Sequence, residues 1–361
     1  RGSVRRLLAL LTKEDPKTRA AVEAALTRED YAAVGKPPID WDDAEAREAL
    51  VDELVRDASA ALAALEGVEL SPALAEAAEL LATVAGQDVE QAEDGRFVIR
   101  RGVARDRVVS TVDPEARHGR KSVHGHFDGY KAHVAVEPET ELITEVAVGP
   151  ANVADAESVP DLLPELDEDE AQEDRLQVVG DTAYGTGPTR EVLVEAGAEL
   201  VAKAPPETNP HGGFPKSAFR IDVAGGTATC PAGVRTARTV HKKTGEVQFR
   251  FPAEICAACP LRSGCTSSRN GRRVTVGPHE PLLAAARARQ RTLEFKRVYN
   301  GKRPTVERVI SRLVRRGGRK ARYRGREKVA AQVTLKAAGE NLLRMLRLGL
   351  SRTAEGSWAT A

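Results

Sequence analysis

The order of strand-like and helix-like segments after residue 126 constrains the fold most. Residues 127–136 alternate apolar and polar side chains, a turn follows at 138–140, and residues 142–148 are again strand-like. This pattern predicts an antiparallel hairpin. The segments that follow are, in order, a helix from about Asp155 to Leu166, a strand over 176–180, a helix over 188–197 and a strand over 199–203. Such an order is typical of an α/β fold, in which helices cover a mixed sheet.

The chain divides into five segments by composition and period. We expect a helical module at 1–92, the first part of an α/β core at 93–204, a Cys-rich insertion at 205–278, a basic helical completion of the core at 279–350, and a frayed tail at 351–361. Within these segments, further strands are expected at 97–99 and 107–112, and further helices at 280–298, 304–316 and 327–348. Pro304 is expected to open the second of these helices, since proline favours a first turn.

The charges of the chain are strongly segregated, although the net charge is only +1. Residues 261–350 contain 24 Lys/Arg and 5 Asp/Glu, whereas residues 161–174 contain 8 acids and no base. A basic third of this kind indicates a nucleic-acid partner, and the alternative is a solvated surface of salt-bridged helices. The acidic run indicates a solvated loop or helix end. There is no run of 18 apolar residues, so no membrane span is expected.

The four cysteines of the chain lie close together in the sequence. Cys230, Cys256, Cys259 and Cys265 form a C-x25-C-x2-C-x5-C pattern. Tetrahedral zinc takes four such ligands, and two thiolates separated by two residues can converge on one ion. The alternatives are unliganded structural cysteines, redox chemistry, and disulfides, which a reducing compartment disfavours. The segment has few large apolar residues, so a metal could replace a core there.

Two acids in different chemical settings are candidates for a metal site. Asp181 follows the apolar strand at 176–180 and precedes small residues, at the sheet edge where α/β proteins bind ligands. Its alternative role is to cap the next turn. Glu307 lies in a basic helix, with Arg303 four residues before it and Arg315 eight residues after it. Its alternative role is an ordinary salt bridge with Arg303. Carboxylates are the ligands with which phosphoryl-transfer sites hold divalent ions.

Several segments, in the order in which they occur, resemble bacterial insertion-sequence transposases of the DDE class. They are Ser110-Thr111-Val112-Asp113-Pro114-Glu115-Ala116-Arg117, Gly129-Tyr130-Lys131-Ala132-His133, Val148-Gly149-Pro150-Ala151-Asn152-Val153-Ala154-Asp155, Gly180-Asp181-Thr182-Ala183-Tyr184-Gly185, Cys256-Ala257-Ala258-Cys259-Pro260-Leu261-Arg262 with Cys265-Thr266, and Arg303-Pro304-Thr305-Val306-Glu307-Arg308 with Arg322-Tyr323-Arg324-Gly325. The resemblance spans roughly residues 95–348. It implies a ribonuclease H-like mixed sheet, with the Cys-rich insertion between the fifth strand and the helix that bears the catalytic Glu.

The resemblance assigns catalytic roles to Asp181, as the second Asp of the triad, and to Glu307. The first Asp belongs on a strand before the hairpin, and the sequence departs from the family pattern there. We expect this Asp to lie upstream of Arg1, which would make the chain an N-terminally truncated, catalytically inactive fragment. Asp113 is the fallback for this position, and Asp128 is a weaker one.

The resemblance also implies a reaction and its partners. A transposase cuts and joins transposon ends by metal-dependent phosphoryl transfer, with Mg²⁺ or Mn²⁺ at Asp181 and Glu307. The implied partners are double-stranded DNA, both transposon ends and target, and further copies of the chain, in the nucleoid of the bacterial cytoplasm. The residues expected to contact DNA are Arg303, Arg308, Arg315, Arg322 and Arg324. The alternatives are a zinc-stabilised DNA-binding remnant or regulator and a nuclease of the same fold.

Overall fold

A computed structural model of the chain describes residues 1–121, 124–163, 176–207, 213–237, 239–349, 351–352 and 358–359. Helices and strands are interspersed, which confirms the α/β class. The chain separates into two compact units, each assembled from distant segments. The first unit comprises Arg1–Ala132, Ala147–Val153 and Gly317–Ala337, and the second comprises His133–Val146, Ala154–Arg316 and Ala338–Ala361.

Nine α-helices are found in the part of the chain that the structure describes. They are α1 (Gly2–Glu14), α2 (Pro16–Ala25), α3 (Ala44–Ala63), α4 (Pro72–Gly86), α5 (Gly187–Glu195), α6 (Ala253–Ala257), α7 (Glu280–Arg289), α8 (Leu293–Leu313) and α9 (Arg326–Arg347). None of them is long and apolar enough to span a membrane.

Helices α1 to α4 form the helical module that the sequence predicts at the N-terminus. Leu7, Leu11 and Leu81 are fully buried in its core, and each such side chain contributes about 1.5–3 kcal/mol. A single buried acid supports the core, since Asp57 accepts hydrogen bonds from the Thr27 backbone N–H and the Tyr31 hydroxyl, both at 2.7 Å. This module therefore holds together by apolar packing around one satisfied carboxylate.

The strands of the described residues form several small sheets. They are β1 (Val89–Gln91), β2 (Phe97–Ile99), β3 (Arg117–Arg120), β4 (His126–Val136), β5 (Ile143–Pro150), β6 (Gln177–Val179), β7 (Glu199–Val201), β8 (Arg220–Asp222), β9 (Thr227–Thr229), β10 (Arg235–Thr236), β11 (Thr239–His241), β12 (Val247–Arg250), β13 (Arg273–Val276), β14 (Ser351–Arg352) and β15 (Trp358–Ala359). The predicted hairpin is confirmed as β4 and β5, and β6 pairs with β7 in parallel. A single mixed sheet of the ribonuclease H type is not found among these strands.

Two predicted elements after the helical module were wrong. Residues 107–110 form extended, unpaired chain and 111–112 a bend instead of a strand. The Gln87 side chain bonds both the N–H and the carbonyl of Val108 and so takes the place of a partner strand. The helix expected from Asp155 begins as two 3₁₀ turns, Asp155–Ser158 and Pro160–Leu162. Pro160 has no backbone N–H and interrupts a regular helix. The acidic run lies mostly outside the described residues, from 164 onwards.

The Cys-rich segment has more of an apolar core than its composition indicates. Strands β8 to β10 form one antiparallel sheet and β11 to β13 another. Phe219, Phe249 and Phe251 are almost completely buried in this segment. The expectation that a metal replaces the core was therefore wrong, since the few large residues of the segment converge in one place.

Helix α8 is longer than predicted, and Pro304 lies inside it. The helix starts at Leu293, where the Thr292 hydroxyl accepts a hydrogen bond from the Phe295 N–H at 3.2 Å. Its buried face continues across the proline, through Phe295, Thr305 and Val309. The burial of side chains on both sides of Pro304 offsets the loss of the backbone hydrogen bond that a proline cannot donate. The consequence is that Arg303 and Glu307 occupy consecutive turns of one helix.

Candidate active site

Asp181 lies in a tight turn at the carboxyl end of β6. Its Oδ1 accepts a hydrogen bond from the Ala183 N–H at 2.8 Å, and its carbonyl accepts one from the Tyr184 N–H at 3.3 Å. The capping role considered for Asp181 is thus real, but it uses only one carboxylate oxygen. The side chain remains 44% exposed, so Oδ2 is accessible to another cation.

The small residues around Asp181 are required by close backbone contacts. A Cβ on Gly185 would lie 2.0 Å from the carbonyl oxygen of Lys203, and a Cβ on Gly180 would lie 3.1 Å from the Tyr184 Cβ. The turn therefore folds back onto the segment after β7 that carries Lys203 only because residue 185 has no side chain. This contact explains why the apolar strand ends in glycine and other small residues.

We expect Gly185→Ala to lower the free energy of unfolding by about 1–3 kcal/mol, because the new methyl group overlaps backbone that cannot move independently. Urea denaturation of the purified protein measures the difference. Gly264→Ala is the matched control, since a Cβ on Gly264 meets nothing within 4 Å. Equal stability of the two variants would contradict the close approach.

Arg303 brings the two predicted acids together. Its Nη2 lies 3.6 Å from Asp181 Oδ2, and its Nη1 lies 3.3 Å from Glu307 Oε1. Asp181 and Glu307, separated by 126 residues in the sequence, are thus both ion-paired with one guanidinium. The salt bridge considered for Glu307 is present, and the same arginine also reaches Asp181.

The guanidinium between the acids is incompletely satisfied. Arg303 Nη1 is buried and has no hydrogen-bond partner among the described residues. The side chain of Glu307 is 66% exposed, so this acid is accessible from solvent. No three His, Cys, Asp or Glu side chains of the described residues are grouped closely enough to hold a metal ion. Within the described part of the chain, the site therefore has two carboxylates paired with one arginine and no metal-binding group of three.

Tyr184 ties the Asp181 turn to the hairpin. The Tyr184 hydroxyl lies 2.6 Å from His133 Nδ1, on strand β4, and the two rings meet edge to face. Burial raises the pKa of Tyr184 to about 12, and the negative charges of Asp155 and Asp181 act in the same direction. The tyrosine is therefore neutral at physiological pH, and its ring fixes the turn through a hydrogen bond.

A buried ionic network holds helix α8 in place within the second unit. Glu141, in the β4–β5 turn, accepts hydrogen bonds from Arg308 and Arg312, and Arg312 also bonds Glu340 on α9 at 2.6 Å. Arg316 lies 2.9 Å from the other oxygen of Glu340, which is only 1% exposed. Burial acts to raise the pKa of Glu141, but the two arginines outweigh it and keep that pKa below its ordinary value. The network positions the helix that carries Glu307.

Sequence reasoning did not identify Glu141 or Glu340 as members of the site's support. Glu141 has a φ of +59°, in the left-handed region. Because glutamate rarely adopts this conformation, its position in the turn could not be predicted from the sequence. Glu340 offered one usable signal, as it is the lone acid in the last four turns of an otherwise basic and apolar helix. Buried acids need partners, and arginines were available nearby.

The structure separates the arginines that were expected to bind DNA into two groups. Arg303 and Arg308 are ion-paired with acids of the second unit. Arg322 and Arg324 lie in the segment 319–325, here called the basic loop, and are exposed. Arg315 precedes this loop in a π-helical turn, Val314–Gly318, and is also exposed. Neither Arg315 nor these loop arginines form an ion pair within the described part of the chain.

Asp113, the fallback for the first catalytic Asp, makes structural contacts in the first unit. Its Oδ1 accepts a hydrogen bond from the Tyr130 hydroxyl at 2.6 Å and one from the Gly325 N–H at 3.2 Å. It lies in a bend instead of the expected strand. The weaker fallback, Asp128, lies on β4 with its Oδ1 2.7 Å from His118 Nδ1. Assignment of either residue to the first position stays a prediction.

The four cysteines line one small cavity of about 30 Å³. Cys230 follows β9, Cys256 lies in α6, and Cys259 and Cys265 lie in the turns that follow. All four are free thiols. Burial raises the pKa of the Cys265 thiol, opposed by Arg272 and reinforced by the three other cysteines. The thiols from three separate stretches thus line one cavity, but no three ligands of the described residues are grouped closely enough to hold a metal ion.

Part of the chain matches a known protein family. Residues 229–346 match the family model of the transposase DDE domain. The matched segment is about a third of the chain; it contains Glu307, the four cysteines and the basic loop, and Asp181 lies outside it. No curated protein and no solved structure matches the chain. The match confirms the resemblance to DDE transposases and supports a transposase function, and members of this family generally use divalent metal ions on DNA.

Proposed function

We propose that this protein is a bacterial insertion-sequence transposase, which cleaves and joins DNA strands by metal-dependent phosphoryl transfer. The observation that carries the proposal is the meeting of Asp181 and Glu307 at Arg303, because two acids from distant parts of the chain have no packing reason to approach each other. The family match, which contains Glu307, supports the same reading.

The donor set at Arg303 fits Mg²⁺ or Mn²⁺. Both ions prefer oxygen ligands, and magnesium is commonly held by one or two carboxylates together with substrate phosphates and water. Asp181 and Glu307 supply such carboxylates, and both are accessible to solvent. A bound divalent ion would activate an attacking oxygen or stabilise a leaving oxygen of the phosphodiester. A third acid would complete a DDE triad, and Asp113 is the candidate that the sequence offers for it.

Neighbouring residues of the chain keep the two acids of this site in position. Arg303 offsets part of the negative charge of the two acids and so weakens their mutual repulsion. Tyr184 and His133 fix the Asp181 turn, and the Glu141 network fixes helix α8. The expected role of Arg303 and Arg308 in gripping phosphate then requires that they exchange an acid for a phosphate oxygen.

The partners of the proposed transposase are double-stranded DNA and other copies of the chain. The excess of basic residues at 261–350 supports DNA binding, since phosphate contacts dominate the affinity of such proteins. A homo-oligomer on DNA would bring two transposon ends together. The expected location is the nucleoid of the bacterial cytoplasm.

A product assay separates the proposal from its two alternatives. Linear DNA that carries the ends of the element is incubated with the protein and Mg²⁺, and the products are resolved on a denaturing gel. Cleaved ends joined to new DNA identify a transposase, and cleaved ends without joined products identify a nuclease. Binding without cleavage identifies a DNA-binding remnant or regulator.

We also propose that the four cysteines bind one structural zinc ion. Their convergence on one cavity supports this, because thiols that merely fill a core need not share a cavity. A tetrahedral thiolate site is a common way to fix a loop-rich segment. The phenylalanine core lies next to these thiols, so the ion would secure the edge of a segment that already has apolar packing.

Purified protein is expected to contain about one zinc ion per chain by elemental analysis. Cys259→Ser should reduce this content to near zero and expose the segment 253–265 to proteolysis, whereas Ser267→Ala, a change in the next exposed turn, should leave it unchanged. A folded, metal-free preparation whose thiols all react with a thiol reagent would contradict the zinc site.

A further inference from the structure

The basic loop, residues 319–325, concentrates positive charge that no acid of the described residues neutralises. Arg319, Lys320, Arg322 and Arg324 are exposed, and none lies within 4 Å of a carboxylate among the described residues. The arginines of helix α8 differ in this respect, since Arg303, Arg308 and Arg312 all have acidic partners. Four unpaired cations within six residues repel each other, so the loop is built to meet a polyanion.

The backbone of this loop is nevertheless fixed. The buried Gln332 side chain accepts a hydrogen bond from the Arg322 N–H at 2.8 Å and donates one to the Lys320 carbonyl at 3.1 Å. At the other end, Asp113 accepts from the Gly325 N–H at 3.2 Å, and Glu115 accepts from the Arg326 N–H at 2.9 Å. The two acids therefore bond backbone groups and leave the cationic side chains free.

One aromatic side chain stands among these cations. Tyr323 is 57% exposed, although aromatic rings are usually sheltered from water. It lies between Arg322 and Arg324, inside the stretch whose two ends are tied down. Because the backbone is already ordered, contact with a ligand costs little further conformational entropy there.

The surrounding charge identifies the class of ligand. A second copy of this loop would bring the same four cations to the ring and be repelled. A nucleic acid supplies phosphates for the cations and a flat base for the ring, and base–aromatic stacking is a general mode of binding unpaired nucleotides. Bases within a duplex are stacked on each other and present only their edges, so a side chain reaches a base face only where pairing is lost.

We propose that Tyr323 stacks on an unpaired base of the DNA while the neighbouring cations hold the adjacent phosphates. The basic loop would thereby recognise DNA whose ends are frayed, flapped or cut, in preference to intact duplex. This inference rests on the proposed function, because it specifies the form of DNA that the transposase takes.

Fluorescence anisotropy in EDTA tests the inference without cleavage. Wild-type protein should bind a duplex with a short single-stranded flap more tightly than the blunt duplex of the same sequence. Tyr323→Ala should weaken binding to the flap DNA by about 5–100-fold and leave blunt duplex nearly unaffected, whereas Tyr323→Phe, which keeps the stacking face, should resemble wild type.

Arg324→Gln is the matched control for charge. It should weaken binding to both DNAs and reduce the slope of log affinity against log salt concentration by the contribution of about one phosphate contact. Tyr323→Ala should leave this slope unchanged. Tyr323 is exposed, so both Tyr323 variants are expected to unfold at the same temperature as the wild-type protein.

Three results would overturn the inference. These are an equal loss on both DNAs for Tyr323→Ala, no loss on either, or a loss for Tyr323→Phe as large as that for Tyr323→Ala, which would indicate a hydroxyl–phosphate contact. Absence of any DNA binding by wild-type protein would instead refute the proposed function, and the inference with it.

Discussion

Asp181→Asn is expected to lower DNA cleavage by about 1000-fold or more while DNA affinity changes by less than about 2-fold. The substitution keeps the size of the side chain and its turn-capping oxygen, which accepts from the Ala183 N–H. It removes the negative charge that a divalent ion requires, and such ions contribute several kcal/mol to the stabilisation of phosphoryl-transfer transition states. Stability should change little, because the lost ion pair with Arg303 is partly exposed.

Cleavage rate and DNA affinity are measured on the same preparation that gives strand-cleavage products with Mg²⁺. Glu307→Gln should cause a loss of similar size, since it faces the same guanidinium. Glu294→Gln is the control on the same helix, because Glu294 is an exposed acid in the first turn of α8, and it should retain full activity. Cleavage by Asp181→Asn at the rate of the control would refute the assignment of this site.

Glu340→Gln is expected to lower the free energy of unfolding by about 3–5 kcal/mol, the largest stability effect that we anticipate. Glu340 is 1% exposed and lies between Arg312 at 2.6 Å and Arg316 at 2.9 Å. A neutral amide cannot compensate two guanidinium groups, and among the acids that the structure describes the buried Arg312 would keep only Glu141 as a partner. The loss should also loosen helix α8, and with it the position of Glu307.

Denaturant unfolding of wild type and variant measures this effect. Glu327→Gln provides the comparison on the same helix, as Glu327 is exposed in its first turn, and it should change stability by less than about 1 kcal/mol. If Glu340→Gln were as stable as Glu327→Gln, the ionic network would not be what holds α8 to α9.

The elements that periodicity alone determines were predictable from the sequence. The hairpin of β4 and β5, the strands β6 and β7, and helix α9 were all expected within a few residues of their bounds. Helix α8 was expected as two pieces, because the rule that proline opens a helix is local, whereas the burial of Phe295 and Val309 on either side of Pro304 is a tertiary effect. For the same reason, the composition of the Cys-rich segment did not reveal that its phenylalanines meet.

The two acids of the candidate site were predictable because their chemistry is visible in the sequence. A strand-end aspartate and a glutamate among arginines both stand out from their surroundings. Which arginines are neutralised was not predictable, since Arg308 and Arg322 look alike in the sequence and differ only in the acids that the fold brings to them. The role of Asp113 as an acceptor for the basic loop depends on a contact over 212 residues.

The position of Arg303 has a consequence for the way in which the protein matures. Its guanidinium acts as a built-in counterion, so Asp181 and Glu307 can be brought together during folding without any dissolved ion. Uptake of the proposed divalent ion would then be a substitution of one cation by another, and it would follow assembly of the site instead of driving it. A chain made in a metal-poor cell would accordingly fold first and be loaded later.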